Sequence, residues 1–219
     1  GADTIVIQED TEVSGDQVTM KESSAKGRYV RPAGLDFQFG DVGVTANRVL
    51  SARDVGLAAA MNVPWLTVTR RPRIALLATG DEIVRPGEPV GPNQIISSNT
   101  IALMGLIKAA GGEAIDLGIA SDDEDSLRAL ASGARGADML VTLGGASVGD
   151  HDLVRKVLGQ DGLELNFWRI AMRPGKPLIF GQIGETPMMG MPGNPVSSLV
   201  CGIVYLRPAI RAMLGLDPH

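Results

Sequence analysis

Cysteine and histidine are almost missing from this chain of 219 residues: Cys201 stands alone, and His151 and His219 are the two histidines. A lone cysteine closes no intramolecular disulfide, and this set lacks the soft ligands of a structural zinc site. Such thiol usage implies the cytoplasm by default. Aromatic side chains are as scarce, with two Trp, two Tyr and four Phe scattered along the chain, too few to build base-stacking platforms. Positive charge is in deficit, 20 Lys and Arg against 25 Asp and Glu for a net charge of −5 and a pI near 5.1, which disfavours nucleic acid as a partner. There is no long hydrophobic run either. The uncharged stretch 186–206 is interrupted by Pro187, Pro192, Asn194 and Pro195, so it reads as a turn plus a buried helix and excludes a bilayer span. The opening Gly1-Ala2-Asp3 carries no signal peptide and has the texture of mid-domain sequence, so a fragment is expected.

What the chain does have is length and glycine. A fold of this size buries roughly three quarters of its unfolded surface, enough for a self-sufficient core. Its 28 glycines are about double the usual share. Up to about residue 44 the pattern is short and β-like, with strands expected over residues 4–8, 17–21 and 28–31, parted by turns at Ser14-Gly15-Asp16 and Ala25-Lys26-Gly27. Ser51 and Asp54 form a capping-box pattern ahead of the apolar stripe Val55, Leu57, Ala58 and Met61, which predicts one helix ending at Asn62. A strand is expected over 63–69, and Arg70-Arg71-Pro72-Arg73 marks a domain boundary near Arg71.

Beyond the boundary the texture alternates. Strands are expected over 74–78, 114–118, 139–143, 163–170, 177–180 and 188–191. Helices are expected from Thr100 with Asn99 as its cap, after Ser121 as a cap with Leu127, Leu130 and Ala131 on it, over 153–158, and from Pro195. This strand–helix alternation predicts an α/β fold, a three-layer domain with a largely parallel sheet, preceded by a small, partly β region.

In such sheets ligands lie beyond the carboxyl ends of the strands, so the strand-to-helix loops carry the chemistry. Thr79-Gly80-Asp81-Glu82 follows a buried strand; its bland reading is a glycine turn with solvated acids. Gly144-Gly145-Ala146-Ser147-Val148-Gly149-Asp150 brings glycines at a strand end, where backbone N–H groups approach an anion closely, although it matches neither the dinucleotide fingerprint nor a P-loop. Arg173-Pro174-Gly175-Lys176-Pro177 sets two cations on a rigid turn suited to an oxyanion, unless they are mere surface charge. In Pro192-Gly193-Asn194-Pro195-Val196-Ser197, Asn194 is a good N-cap and Pro195 fits the first helical position, which aims a helix N-terminus at the sheet's end or simply starts a core helix. Acids are supplied by Glu82, by Asp122 with Asp123 and Glu124, and by Asp150 and Asp152. Asp122 to Glu124 also suit a helix's first turn; convergence of Glu82, Asp122 and Asp152 would instead favour a hard, oxygen-ligated cation such as Mg²⁺. Cys201, inside an apolar helix, reads as an inert core thiol.

Taken in order, Leu77-Ala78-Thr79-Gly80-Asp81-Glu82, the Gly144 to Asp150 loop, Arg173-Pro174-Gly175-Lys176-Pro177 and Pro192-Gly193-Asn194-Pro195 resemble the MoeA family, which inserts molybdenum into molybdopterin and includes the E region of gephyrin. Upstream, Gly1 to Val6 and Tyr29-Val30-Arg31-Pro32-Ala33-Gly34-Leu35-Asp36-Phe37 resemble it too, so the likeness covers essentially the whole chain. It implies that molybdate and adenylylated molybdopterin yield molybdenum cofactor and AMP with a divalent cation, and it matches Glu82, Asp122 and Asp152 to functional carboxylates that would hold Mg²⁺. Asp36 matches an acid of a small β domain that reaches a partner protomer's cleft. The pterin and phosphate would be held by Thr79, Gly80, Asp81, Gly144, Gly145, Ser147, Gly149, Asp150, Arg173, Lys176, Pro192, Gly193, Asn194, Pro195 and Ser197.

The resemblance also implies a homodimer, contact with the adenylyltransferase of the same pathway, and a domain order: residues 1–44 in a small β domain, 45–71 as helix and strand of an elongated linker domain, and 72–219 as the pterin-binding domain. The C-terminal β-barrel domain of the family is missing, and the chain is expected to be truncated at both ends. Departures from the family pattern are Arg169, where lysine is often seen, Ser97 in place of an acid, and Ala146 in place of valine. Two alternatives resemble parts of the chain. Molybdopterin adenylyltransferases match only after Arg73 and carry a Gly-Gly-Thr-Gly type loop, and a non-catalytic pterin-binding scaffold would release no AMP.

Overall fold

The computed structural model describes residues 1–144 and 153–218, which divide into two compact units. The first unit comprises Gly1–Ala46 and Leu50–Leu66. Strands β1 (Thr11–Ser14) and β2 (Gln17–Met20) form an antiparallel hairpin in the register Thr11↔Met20. Gly15, at φ 57°, supplies the left-handed residue that a two-residue hairpin turn needs. The strands expected over residues 4–8 and 28–31 are absent, and residues 26–29 form a turn. The backbone explains both. Ile5 N–H donates to Arg28 O at 3.1 Å, but Gly27 and Tyr29 have positive φ (84° and 59°), so the partner curls away before a ladder can extend.

Helix α1 (Ala52–Ala60) starts as the sequence predicts. The Ser51 hydroxyl accepts from Asp54 N–H at 3.3 Å, and the Asp54 carboxylate accepts from Ser51 N–H at 2.7 Å. It stops at Asn62 (φ 61°), with Val63 N–H donating to Ala58 O and Asn62 N–H to Ala59 O, the paired bonds of a Schellman end. The strand expected over 63–69 does not form. Its apolar residues have the right propensity, but among the described residues no strand pairs with them, and Trp65 and Val68 are exposed.

The second unit comprises Asn47–Val49 and Thr67–His219. Its strands are β3 (Arg73–Thr79), the two-residue parallel pair β4 (Ile83–Val84) and β5 (Ile95–Ile96), β6 (Glu113–Ala120), β7 (Met139–Leu143), β8 (Leu163–Trp168), β9 (Ile179–Ile183) and β10 (Thr186–Met191). The helices are α2 (Asn99–Ala109), α3 (Glu124–Ala131), α4 (Leu153–Gln160), α5 (Pro195–Cys201) and α6 (Arg207–Met213), the last two joined by a π-helical turn, Gly202–Leu206. Six strands form one sheet in the order β6-β3-β7-β10-β9-β8. β6, β3, β7 and β10 run parallel, while β9 is antiparallel to both of its neighbours. The fold is therefore the α/β type with a largely parallel sheet.

Burial follows strand alternation. Ile74, Leu76, Ala78, Met139, Val141 and Leu143 face one layer with Leu103 and Ile107 of α2, Cys201 of α5 and Ile210 of α6. Ala75, Leu77 and Leu140 face the other with Leu127 of α3 and Val154, Val157 and Leu158 of α4. With both faces covered, β3 and β7 are apolar almost throughout, as central parallel strands require. The apolar helical stretch Pro195–Met213 has the length and composition of a membrane span; Cys201, Leu206 and Ile210 within it are fully buried in the core cluster, while Val196, Leu199, Ile203 and Val204 are exposed.

Two caps differ from expectation. Asn99 is the first residue of α2, not its cap, and Ser98, at the cap position, makes no capping bond. Asp123, not Ser121, caps α3 by accepting from Ser126 N–H at 2.8 Å. One topological feature locates the site. β3 and β7 are neighbours, but the chain leaves β3 toward β6 and leaves β7 toward β8 at the opposite edge. Such a reversal opens a crevice beyond the carboxyl ends of the two strands.

Candidate functional site

The crevice is bounded by strand-end residues without bulky side chains. Thr79 closes β3 and is nearly inaccessible, and among the described residues its hydroxyl has no hydrogen-bond partner. Beside it lies Gly144 at φ 86°, where an added Cβ would sit 2.8 Å from Thr79 O and 3.2 Å from Thr79 Oγ1. A Cβ on Gly193 would in turn sit 3.6 Å from Gly144 Cα. The ends of β3, β7 and β10 thus form a row of bare backbone with one unpartnered hydroxyl set into it. Gly144 N–H donates to Met191 O at 3.3 Å, which fixes β7 to β10 here. Thr142, two residues earlier on β7, is fully buried, and its hydroxyl too has no partner among the described residues. Sequence reasoning missed it, although a threonine in the otherwise apolar run Met139-Leu140-Val141-Thr142-Leu143 was the available signal.

The loops after β3 and β6 are latched together. Asp81 N–H donates to Asp122 Oδ2 at 3.4 Å, and Asp122 N–H donates to Asp81 Oδ1 at 3.2 Å. Gly80 N–H donates to Ala120 O at 3.2 Å, and Gln94 Nε2 donates to Asp81 O at 3.3 Å. Gly80, at φ 135°, has the Glu82 carboxylate folded over the space a side chain would fill. Asp81 and Asp122 therefore lie together, with Glu82 on the adjoining turn. A cavity of about 470 Å³ opens beside them, lined by Gly80, Asp81, Arg85, Gly118, Ser121 and Leu130 among others.

The loop after β10 is held from two sides. Asn99 Nδ2 donates to Gly193 O at 2.6 Å, and Ser198 Oγ donates to Pro192 O at 2.7 Å. Asn194 caps α5 through Oδ1, which accepts from Val196 N–H at 3.1 Å and Ser197 N–H at 3.2 Å, while Pro195 has no N–H to offer. A smaller, mostly apolar cavity of about 200 Å³ lies between the first turns of α2 and α5.

The cationic turn sits elsewhere along α5. Ile170 N–H donates to Lys176 O and Arg169 N–H to Leu178 O, both at 2.9 Å, and the Arg173–Pro174 peptide is cis. Gly175, at φ 113°, rests on Cys201, seven residues and so about 10 Å along α5 from Asn194. Arg173 and Lys176 are exposed, and among the described residues no carboxylate pairs with either. Burial pushes the Cys201 thiol up, so it is a neutral packing group.

Asp36 belongs to the first unit, where its carboxylate pairs with Arg31 at 2.9 Å. Gly145, Ser147, Gly149, Asp150 and Asp152 lie outside the described residues. Among the described residues no three acidic, histidine or cysteine side chains meet closely enough to hold a metal ion. The donor chemistry of Glu82, Asp81 and Asp122 nevertheless suits a hard cation, since each offers carboxylate oxygen and the latch engages Asp81 Oδ1 and Asp122 Oδ2 and not the second oxygen of either aspartate.

A doubly wound α/β unit with a glycine-lined crevice and acidic and cationic loops at its strand ends is the architecture of a small-molecule binding domain. Residues 75–212 match a family described as a probable molybdopterin binding domain, and residues 1–62 match the MoeA N-terminal region, domains I and II. The chain belongs to this molybdopterin binding domain family. It is 36% identical to the molybdopterin molybdenumtransferase of Nostoc sp. over 99% of its own length and 50% of that protein, and 33% identical to that of Haemophilus influenzae over 98% and 54%. The crystal structure of a molybdopterin biosynthesis MoeA protein from Pyrococcus horikosii superposes with a TM-score of 0.80 at 34% identity, covering 98% of this chain and 54% of that one. The chain thus spans about half the length of the relatives it matches.

Proposed function

We propose that the chain acts in molybdenum cofactor synthesis as a molybdopterin molybdenumtransferase, taking adenylylated molybdopterin and molybdate and releasing AMP. The observation that carries this reading is the bare backbone row at Thr79, Gly144 and Gly193 beside the latched Asp81 and Asp122, a crevice that admits a phosphate-bearing ligand close to the main chain. The match to the MoeA N-terminal region over residues 1–62 favours it over an adenylyltransferase, whose resemblance begins after Arg73.

In this reading Glu82 and Asp122, with Asp152, would hold Mg²⁺, which when bound neutralises the charge of a pyrophosphate. Thr79 Oγ1 offers a donor to a phosphate oxygen, and Gly144 and Gly193 leave it room to approach. Arg173 and Lys176 supply charge to molybdate or to the departing phosphate. Asp36 would act across a homodimer of a cytoplasmic enzyme that also meets the pathway's adenylyltransferase.

The test is AMP release from adenylylated molybdopterin, with and without molybdate and Mg²⁺, for the wild type, Glu82→Gln and Asp122→Asn. Molybdate-dependent release that both variants lose while keeping wild-type melting supports the reading. No release by the wild type, or equal release by all three at limiting Mg²⁺, overturns it.

A further inference from the structure

The cavity of about 470 Å³ beside the Asp81–Asp122 latch is bordered by an irregularity in β6. β6 is the edge strand next to β3, and its register slips between the pairs Leu76↔Asp116 and Leu77↔Gly118. Leu117 is thus an extra residue, a bulge of the kind enriched where strands border functional sites. Within it Asp116 Oδ1 accepts from Gly118 N–H at 2.9 Å, and Asp116 Oδ2 lies 3.4 Å from Arg85 Nη2. Gly118, at φ 104°, is bare where Arg85 crosses it, since an added Cβ would sit 3.3 Å from Arg85 Nη2. A tight turn pins the Arg85 backbone: Arg85 N–H donates to Glu88 Oε2 at 2.9 Å, and Glu88 N–H donates to Arg85 O at 3.1 Å.

We infer that this cavity receives an amino-substituted bicyclic N-heteroaromatic ring, with Arg85 donating to a ring acceptor. The inference rests on the proposed function and places one end of its ligand: Gly80, which lines the cavity, directly follows Thr79, where the phosphate would lie. The volume exceeds what a phosphate or a hydrated cation fills and lies in the range of about 300–1,000 Å³ usual for small-molecule sites. Ile83, Leu117, Ile119 and Leu130 line it with aliphatic surface suited to the faces of a flat ring. Asp81 and Glu88 add carboxylates, which are acceptors for an exocyclic amine. Two carboxylates against one guanidinium, itself opposed by Asp116, disfavour an anion here, so a neutral ring suits the cavity better than a phosphate. The Arg85 side chain is 52% exposed, and an ion pair so open to water is weak; contact through one nitrogen leaves the rest of the guanidinium fork for a ligand.

The experiment titrates the full chain by calorimetry with AMP, with unsubstituted pterin and with inorganic pyrophosphate, and follows side-chain methyl resonances by NMR. AMP or pterin should bind and shift the methyls of Ile83, Ile119 and Leu130 through ring currents, and the compound that does so identifies which end of the ligand the cavity takes. Arg85→Met, which keeps an unbranched stem without the guanidinium, should weaken ring binding about tenfold and change pyrophosphate affinity by less than about twofold. Leu130→Trp, which fills the cavity from α3, should abolish ring binding; if it melts early, Arg85→Met decides. No binding of either ring compound by the wild type, shifts confined to methyls outside the cavity, unchanged ring affinity in Arg85→Met, or an equal loss of pyrophosphate overturns the inference. AMP release from adenylylated molybdopterin is measured alongside. Ring binding in the cavity without release fails the proposed function and keeps the inference, whereas release with ring binding indifferent to Arg85→Met does the reverse.

Discussion

Gly144→Ala is the most severe small change the crevice geometry allows. The glycine has φ 86°, a region that costs a side-chain-bearing residue about 1–2 kcal/mol. The new Cβ would sit 2.8 Å from the Thr79 carbonyl oxygen. That neighbour is backbone of β3, where Thr79 pairs with Ala120 of β6 and the preceding Ala78 with Leu143 of β7, so it cannot rotate aside. Relief requires the strands to part, and overpacking of this kind costs about 1–3 kcal/mol. Together the expected loss is roughly 2–5 kcal/mol, which in a unit of this size lowers Tm by roughly 5–15 °C. Gly193→Ala is the internal control. Its Cβ would meet Gly144 Cα at an ordinary 3.6 Å, and its φ is not in the left-handed region, so its stability should change by less than about 0.5 kcal/mol. Urea titration and calorimetry on the two variants measure both numbers. A Gly144→Ala chain as stable as the wild type, or a Gly193→Ala chain that loses as much, would refute the close-approach reasoning.

Three further outcomes follow from individual contacts. Asn99→Ala removes the 2.6 Å bond to Gly193 O and should lower the urea midpoint by about 1 kcal/mol equivalent while loosening the loop after β10, readable as faster amide exchange there. Asp138 is held below the usual carboxylate range by the Arg70 guanidinium and by Arg73 N–H, so the stability it contributes is full above its unfolded value of about 4 and is lost as pH falls through its lower folded value. Asp138→Asn should therefore flatten the acid limb of a stability–pH curve below about pH 4, and an unchanged limb would contradict the pairing. Arg173→Ala should weaken molybdate binding about tenfold at low salt and less at high salt, by calorimetry; equal affinity at every salt concentration would assign Arg173 to solvent alone.

Where the signal is local, the sequence foretold the structure closely. The run 139–143 is strand β7 to the residue, the Ser51 and Asp54 capping box opens α1, and Asn194 with Pro195 opens α5. Where the outcome depends on a partner, it did not. Residues 4–8 and 63–69 have strand composition, but whether they become strands depends on another segment being straight and adjacent, and the curl at Gly27 and Tyr29 prevents the first. The pair β4 and β5 forms through backbone groups, which leave no trace in side-chain identity, and the Asp81–Asp122 latch pairs each carboxylate with a backbone N–H 41 residues away, a partner that neither aspartate's own neighbours disclose. Asn99 shows the same limit from the other direction. It has the composition of a cap, but the long-range bond to Gly193 O claims its amide.

That difference decides where the positive charge for an anion comes from. Asn194 and Pro195 suggest a helix N-terminus offering free N–H groups, yet each early donor of α5 is accounted for. Pro195 has none, Val196 and Ser197 N–H donate to Asn194 Oδ1, and Ser198 N–H donates to Asn194 O at 2.9 Å. A well-made cap and an anion site compete for the same hydrogens, and here the cap holds them. The bare backbone near Thr79, Gly144 and Gly193 then provides room more than charge. Among the described residues the candidates for that charge are then side chains, notably the exposed Arg173 and Lys176 of the turn between β8 and β9. The proposed oxyanion recognition would then depend on exposed guanidinium and ammonium side chains, with salt sensitivity as its physical signature.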